Sequence, residues 1–152
     1  MRAVVQRVTR ASVRWEGGEA SVGPGYCLLV GVAETDQERD ADVLADKIVK
    51  LRVFSDEAGK FNLSATQVKA DFLVISQFTL FGDARGQNRP SFVHAARPEQ
   101  GRPLLERFIA RLRESGLPVA TGSFGAHMAV ELVNDGPVTV VLSTDAWDPR
   151  IG

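Results

Sequence analysis

Two hydroxyls and a carboxamide stand together at Ser76-Gln77-Phe78-Thr79, where the apolar run Phe72-Leu73-Val74-Ile75 ends. A strand delivers side chains to the edge of a site at its end, so these four are candidate site residues. If the strand stays regular, Ser76 and Phe78 share one face, with Gln77 and Thr79 on the other. A threonine hydroxyl is a weak nucleophile without an activating base, and none stands nearby in the sequence. Hydroxyls satisfied by backbone at a strand end account for the same residues without chemistry. The second unusual element is Gly136-Pro137, between two strand-like patterns. Proline removes a ladder donor, so the pair reads as a turn or strand edge. An X-Pro bond is one that can be cis at modest cost, but the dipeptide alone does not say which isomer is present.

Other chemistries find little support. The histidines are His94 and His127, and Cys27 is the single cysteine, so a zinc set of usual spacing is missing. Cys27 lies inside the apolar run Tyr26 to Val32 and reads as inert packing. No G-x-S-x-G elbow, phosphate-binding G-x-x-x-x-G-K-[ST] loop or G-x-G-x-x-G fingerprint occurs.

The elements that must position these residues alternate between strand and helix. Residues 3–15 alternate loosely, Gly17-Gly18 suits a hairpin, and Gly23-Pro24-Gly25 a turn before a central strand over 26–32. Thr35 and Glu38 have capping-box spacing ahead of Ala41, Leu44, Ala45, Ile48 and Leu51, one helical face. Residues 56–60, flanked by Arg52 to Ser55 and Phe61 to Ser64, read as a β-turn or loop, and 71–81 as a strand running through the candidate segment. Residues 82–90 read as an exposed loop. A second helix covers roughly 98–115, with Gly116 and Pro118 as its stop and Pro103 expected in its first turn or at a break. Two strands joined through Asn134-Asp135-Gly136-Pro137 finish the pattern, giving a mixed α/β or α+β order.

At 152 residues with 44% hydrophobic and 24% charged side chains, the chain has the size and composition of one globular domain. It lacks an apolar span or a signal-peptide pattern, and one cysteine suits a reducing compartment, so a cytoplasmic protein is expected. Charge is unevenly spread. Residues 34–46 hold six carboxylates against Arg39, while 82–114 hold seven arginines against four carboxylates. One basic face permits phosphate contacts without demanding them.

Five segments together resemble D-aminoacyl-tRNA deacylases in order and spacing: Met1 to Val8, Ser76 to Leu80, Asn88-Arg89-Pro90-Ser91-Phe92, Phe124 to Met128, and Asn134 to Thr139. The resemblance runs from Met1 to about Leu142 and leaves the tail 143–152 unmatched. It implies a single α/β domain with mixed β-sheets in a barrel-like arrangement, two main helices and a homodimer. No metal and no dissociable cofactor are implied. The substrate would be aminoacyl-tRNA, held at its 3′ end and acceptor stem, with Arg89 and its neighbours near the phosphates.

By the same resemblance, Ser76, Gln77, Phe78 and Thr79 line the pocket for the terminal adenosine and ester, and Thr79 holds the position often assigned as catalytic. Gly136 and Pro137 form a cis pair that projects from one subunit into the other's site. D- and L-esters carry identical groups, so only placement distinguishes them. A rigid backbone wall near the α-carbon would exclude L side chains, tolerate many D ones and pass glycine. Backbone N–H groups near Phe78 and Thr79 are candidate oxyanion donors. Either Thr79 or the adenosine's own 2′-hydroxyl assists the attacking water. A non-catalytic RNA- or DNA-binding module and an editing domain for other mischarged tRNAs are the competing readings.

Overall fold

The computed structural model describes residues 1–147. β1 (Arg2–Trp15) turns at Gly17 into β2 (Gly18–Val22), and β3 (Gly25–Gly31) returns antiparallel to the first half of β1. Gly17 takes φ +98, the left-handed region a tight hairpin requires. α1 (Glu38–Lys50) follows, then a small hairpin of β4 (Phe54–Ser55) and β5 (Phe61–Leu63) and the short α2 (Ala65–Val68). β6 (Asp71–Ser76) enters the main sheet, a 3-10 turn covers Phe78–Phe81, and a long loop leads to α3 (Pro98–Arg113). β7 (Val119–Thr121) and β8 (Met128–Ser143) complete the fold.

β8, β1 and β3 pair antiparallel, whereas β3–β6 and β6–β7 are parallel, so the sheet is mixed. β2 curls round to approach β6 and β7, leaving a nearly closed barrel in one α/β domain with two main helices and one short one. Alternation along the central strands divides the core. Tyr26, Leu28, Val30, Phe72 and Val74 face α1 and α3, where they meet Leu44, Ile48, Leu105 and Phe108. Cys27, Leu73 and Ile75 face the barrel interior with Val8, Ala11 and Val13. Burial pushes the Cys27 thiol up to about 11, which agrees with inert packing.

Several local expectations change. The strand through the candidate segment stops at Ser76, because Leu80 and Gly82 N–H groups bond back to the Gln77 and Thr79 carbonyls and wind the chain into a 3-10 turn. α1 is capped from Gln37, whose N–H donates to the Asp40 carboxylate at 2.9 Å, rather than from Thr35. Pro103 lies inside α3, one turn beyond Pro98. The carbonyl it leaves unbonded is that of exposed Glu99, which water can serve. The two C-terminal strands are one strand, β8, antiparallel to β1 along its length with register shifts opposite Gln6 to Arg10. There the Asn134 amide takes over the ladder, accepting from Val138 N–H at 2.7 Å and donating to the Val138 carbonyl at 3.2 Å. β7 is too short to leave a periodic signal.

The charged segments meet each other. Arg107 forks onto Asp42 at 2.7 and 2.9 Å, and Arg111 onto Asp46 at 2.8 and 3.0 Å, joining α3 to α1. The basic surface expected over 82–114 is therefore partly neutralised by the acidic stretch 34–46. No helix among the described residues is long and apolar enough to cross a membrane.

Candidate active site

The end of β6 opens into a cavity of about 540 Å3 lined by Ser76, Gln77 and Phe78. β7 pairs with β6 over Phe72 to Val74, and β3 pairs with it on the other side as far as Ser76, so the end of β6 is held from β3. The opposite walls come from Phe92 in the long loop and from Phe124 and Met128 at the approach to β8. Phe78 and Phe92 meet edge to face, ring centroids 5.2 Å apart, and Phe78 remains more than half exposed. Arg102 lies 5.3 Å from the Phe124 ring centre. A smaller recess of about 270 Å3 shares Ser76 and Phe124 with the first. The Ser76 hydroxyl makes no hydrogen bond to the described protein, so the strand-end satisfaction considered above is not what it does.

Thr79 is exposed and is not part of the lining. The 3-10 turn carries it past the cavity, and its hydroxyl accepts a hydrogen bond from the Gln77 amide. The turn has a second consequence. Its first internal bond is made by Leu80 N–H, so the N–H groups of Phe78 and Thr79 precede the bonded part of the turn. No carboxylate among the described residues lines the cavity; His127 stands exposed at its rim. Arg97 also lines it and forms no ion pair among the described residues. Arg97, Phe92 and Phe124 were not singled out individually from the sequence, and His127 was weighed there only as a metal ligand. The resembling segments 88–92 and 124–128 were the signal that contained three of them.

Gly136 and Pro137 are elsewhere. Their peptide bond is cis, Gly136 takes φ +148, and both residues are exposed. Ser76 pairs with Val30, and Val30 with Ala3, whereas the bulge holding Gly136 lies against Arg7. That offset is roughly 13 Å along the strands and about 14 Å across them. Within one chain the two segments do not share a cavity. Arg7, itself buried, donates from Nε to the Asp135 carbonyl at 2.9 Å and from a terminal nitrogen to the Val53 carbonyl at 2.7 Å. Nearby, burial pushes the Tyr26 phenol above its ordinary range, against a smaller opposing pull from Arg7.

Among the described residues no group of three or more His, Cys, Asp or Glu side chains is arranged to hold a metal ion. The arrangement offers a rigid polar strand end, backbone donors and an aromatic-walled recess sized for a nucleoside.

A family model described as D-Tyr-tRNA(Tyr) deacylase matches residues 4–143. A D-aminoacyl-tRNA deacylase of Dehalococcoides mccartyi is 54% identical over 153 residues, covering 99% of this chain and 100% of that one. Another, of Symbiobacterium thermophilum, is 54% identical over 147 residues, covering 95% and 97%. The solved structure of a c-Myc DNA Unwinding Element Binding Protein matches with TM-score 0.88 and 40% identity, covering 96% of this chain and 100% of that one. A structure described as a probable eukaryotic D-amino acid tRNA deacylase matches with TM-score 0.80 over 93% and 97%; at 15% identity that is a likeness of fold.

Proposed function

The chain belongs to the D-Tyr-tRNA(Tyr) deacylase family, and from that premise we propose that it hydrolyses the ester joining a D-amino acid to the terminal adenosine of tRNA. The observation that carries this reading is the cavity that Ser76, Gln77 and Phe78 share with Phe92 and Phe124. Its aromatic walls suit an adenine ring, and base–aromatic stacking contributes about 1–3 kcal/mol per base. Arg97 at the wall and Arg89 in the exposed loop supply positive charge for the phosphates that follow.

In the proposed reaction, water adds to the ester carbonyl and negative charge develops on its oxygen. The N–H groups of Phe78 and Thr79 are the candidate donors to that oxygen. The carbon–oxygen bond to the ribose then breaks, and the ribose oxygen takes a proton. With no carboxylate in the lining among the described residues and Thr79 turned toward Gln77, the adenosine 2′-hydroxyl is the favoured assistant to the attacking water. Thr79 as proton relay is the alternative.

Stereochemical selection is assigned to Gly136 and Pro137 of a second copy of the chain. Two features support a homodimer: the pair lies far from its own chain's cavity, and it sits on β8, whose outer edge is unpaired and carries exposed Val133 and Val141. A backbone wall there would reject L side chains and pass glycine, so mischarged glycyl-tRNA is a further substrate. The protein would act in the cytoplasm, where translation supplies these esters.

The test is deacylation of matched D- and L-tyrosyl-tRNA by purified protein with chelator present. Release from the D ester alone is expected. Binding of tRNA without hydrolysis of either ester would replace this reading with a nucleic-acid-binding module. Equal hydrolysis of both would keep the esterase and remove the Gly136–Pro137 filter.

A further inference from the structure

A second cavity, about 440 Å3, lies on the far side of the 3-10 turn from the first. The Phe78–Phe81 turn and the Phe92–His94 segment form the partition, with Phe81, Gly82 and His94 facing the second cavity and Phe78 and Phe92 the first. Its outer wall is formed by Asp145, Ala146 and Trp147, part of the stretch that the sequence left without a role. Thr144 N–H bonds to the Met1 carbonyl at 2.9 Å, Asp145 pairs with Arg2 at 2.9 Å, and Trp147 closes the wall. The Arg2 guanidinium is layered between two rings, 4.2 Å from the Phe81 centre and 4.8 Å from the Trp147 centre, and donates to the Leu80 carbonyl. Residues 144–147 are thereby fastened to the same turn that carries the candidate site.

The chemistry of the lining is specific. Arg2 and Arg85 stand against Glu34, Asp83 and Asp145, so the cavity does not favour a bare anion. Trp147 remains about a third exposed and offers a stacking surface. Asp83 is taken by Arg85, and Asp145 by Arg2 and Ser143. Glu34 is held only at 3.3 Å from His94, with its side chain half exposed. An aromatic-walled cavity with no excess of positive charge and one accessible carboxylate suits a neutral base that presents an amino group. Cytosine does so through its N4 amine, the donor that Glu and Asp accept from in base recognition.

Resting on the deacylase reading, we infer that this cavity is a subsite for the cytidine nucleotide that precedes the terminal adenosine, stacked on Trp147 and read by Glu34. Residues 145–147 then act as a wall of the substrate channel.

The experiment is equilibrium binding of non-hydrolysable probes: D-tyrosylamido-adenosine, and the same compound extended on its 5′ side by cytidylate or by uridylate. The cytidylyl probe should bind wild type at least about fivefold tighter than the mononucleoside, the smallest gain that stacking on an aromatic ring implies. Trp147→Ala should abolish that gain and Glu34→Ala should erase the preference for cytidylyl over uridylyl. Both variants should keep wild-type affinity for the mononucleoside probe, which also shows that they remain folded. Equal affinity of wild type for mononucleoside and cytidylyl probes, or a loss in Trp147→Ala that is the same for both, would overturn the subsite. Equal binding of the cytidylyl and uridylyl probes would overturn its assignment to cytidine. Failure of wild type to bind the mononucleoside would instead overturn the deacylase reading, and this inference with it.

Discussion

The buried guanidinium of Arg7 ties the Asp135 carbonyl on β8 to the Val53 carbonyl beyond α1, at 2.9 and 2.7 Å. One side chain therefore fixes the bulge that presents Gly136. Replacing Arg7 with Lys removes the planar fork that reaches both carbonyls at once. Urea unfolding should show a loss of about 1.5–3 kcal/mol, the usual worth of a hydrogen bond to a charged group. The ratio of D- to L-tyrosyl-tRNA hydrolysis should fall at the same time. An unchanged ratio would confine Arg7 to stability.

Gly136→Ala tests the bulge directly. At φ +148 an added Cβ would lie 2.6 Å from Val138 Cγ2 and 2.8 Å from the Val138 nitrogen, so the backbone must shift. The site is exposed and belongs to neither core cluster, so the fold should survive at a cost of about 1–3 kcal/mol. Discrimination against L-tyrosyl-tRNA should weaken by at least tenfold or so, about 1.4 kcal/mol of selectivity. Competitive hydrolysis of the two esters measures it, and unaltered selectivity would move the filter elsewhere.

Thr79→Ala should lose less than about tenfold in kcat, since the residue lies outside the cavity lining. Substrate ending in 2′-deoxyadenosine should instead be hydrolysed slower by two orders of magnitude or so, the low end of what a positioned proton-transfer group contributes. The reverse pattern in single-turnover kinetics would make Thr79 the relay.

The α1–α3 ion pairs predict a dependence of stability on pH. Hydrogen bonds from Arg107 and Arg111 hold the Asp42 and Asp46 carboxyls below the ordinary carboxylate range. A carboxyl lowered on folding stabilises fully above its unfolded value, about pH 3.9, and that contribution drains as pH falls through the folded values. Melting temperature should therefore drop on acidification below about pH 4. In Arg107→Ala/Arg111→Ala the same titration should be shallower, and a parallel curve would show that these exposed pairs carry no net stabilisation.

Salt should weaken tRNA binding. Arg89 and Arg97 are exposed, and neither forms an ion pair among the described residues. Replacing either with Ala should lessen the slope of log K against log salt by about one. Fluorescence titration at several salt concentrations measures that slope, and a slope unchanged by both substitutions would place the phosphate contacts on other residues.

Much of the fold was legible because burial imposes a period. Burial of both faces, Tyr26 and Phe72 on one and Cys27 and Leu73 on the other, wrote the central strands as unbroken apolar runs, and the spacing of Leu44 with Ile48 and of Leu105 with Phe108 wrote the helices. Ser76, Gln77 and Phe78 could be picked as candidates because polar groups at the end of an apolar strand are unusual. Where individual hydrogen bonds rather than periodicity set the backbone, the reading failed. The Asn134 amide holds β8 continuous past Pro137, and backbone bonds at Gln77 and Thr79 end β6 early.

By itself, then, the sequence determined the family, the order of the main elements and the polar segment that one strand must deliver. These are local or periodic properties, set by the chemistry of neighbouring residues. Only the tertiary structure decided which distant segments meet. It brought Phe92 and Phe124 to Phe78, turned Thr79 aside, neutralised Arg107 and Arg111 against α1, and left Gly136–Pro137 some distance from its own chain's cavity. The contacts of a folded chain depend on the path of the sheet and the direction of each side chain, and no local pattern of residues encodes either.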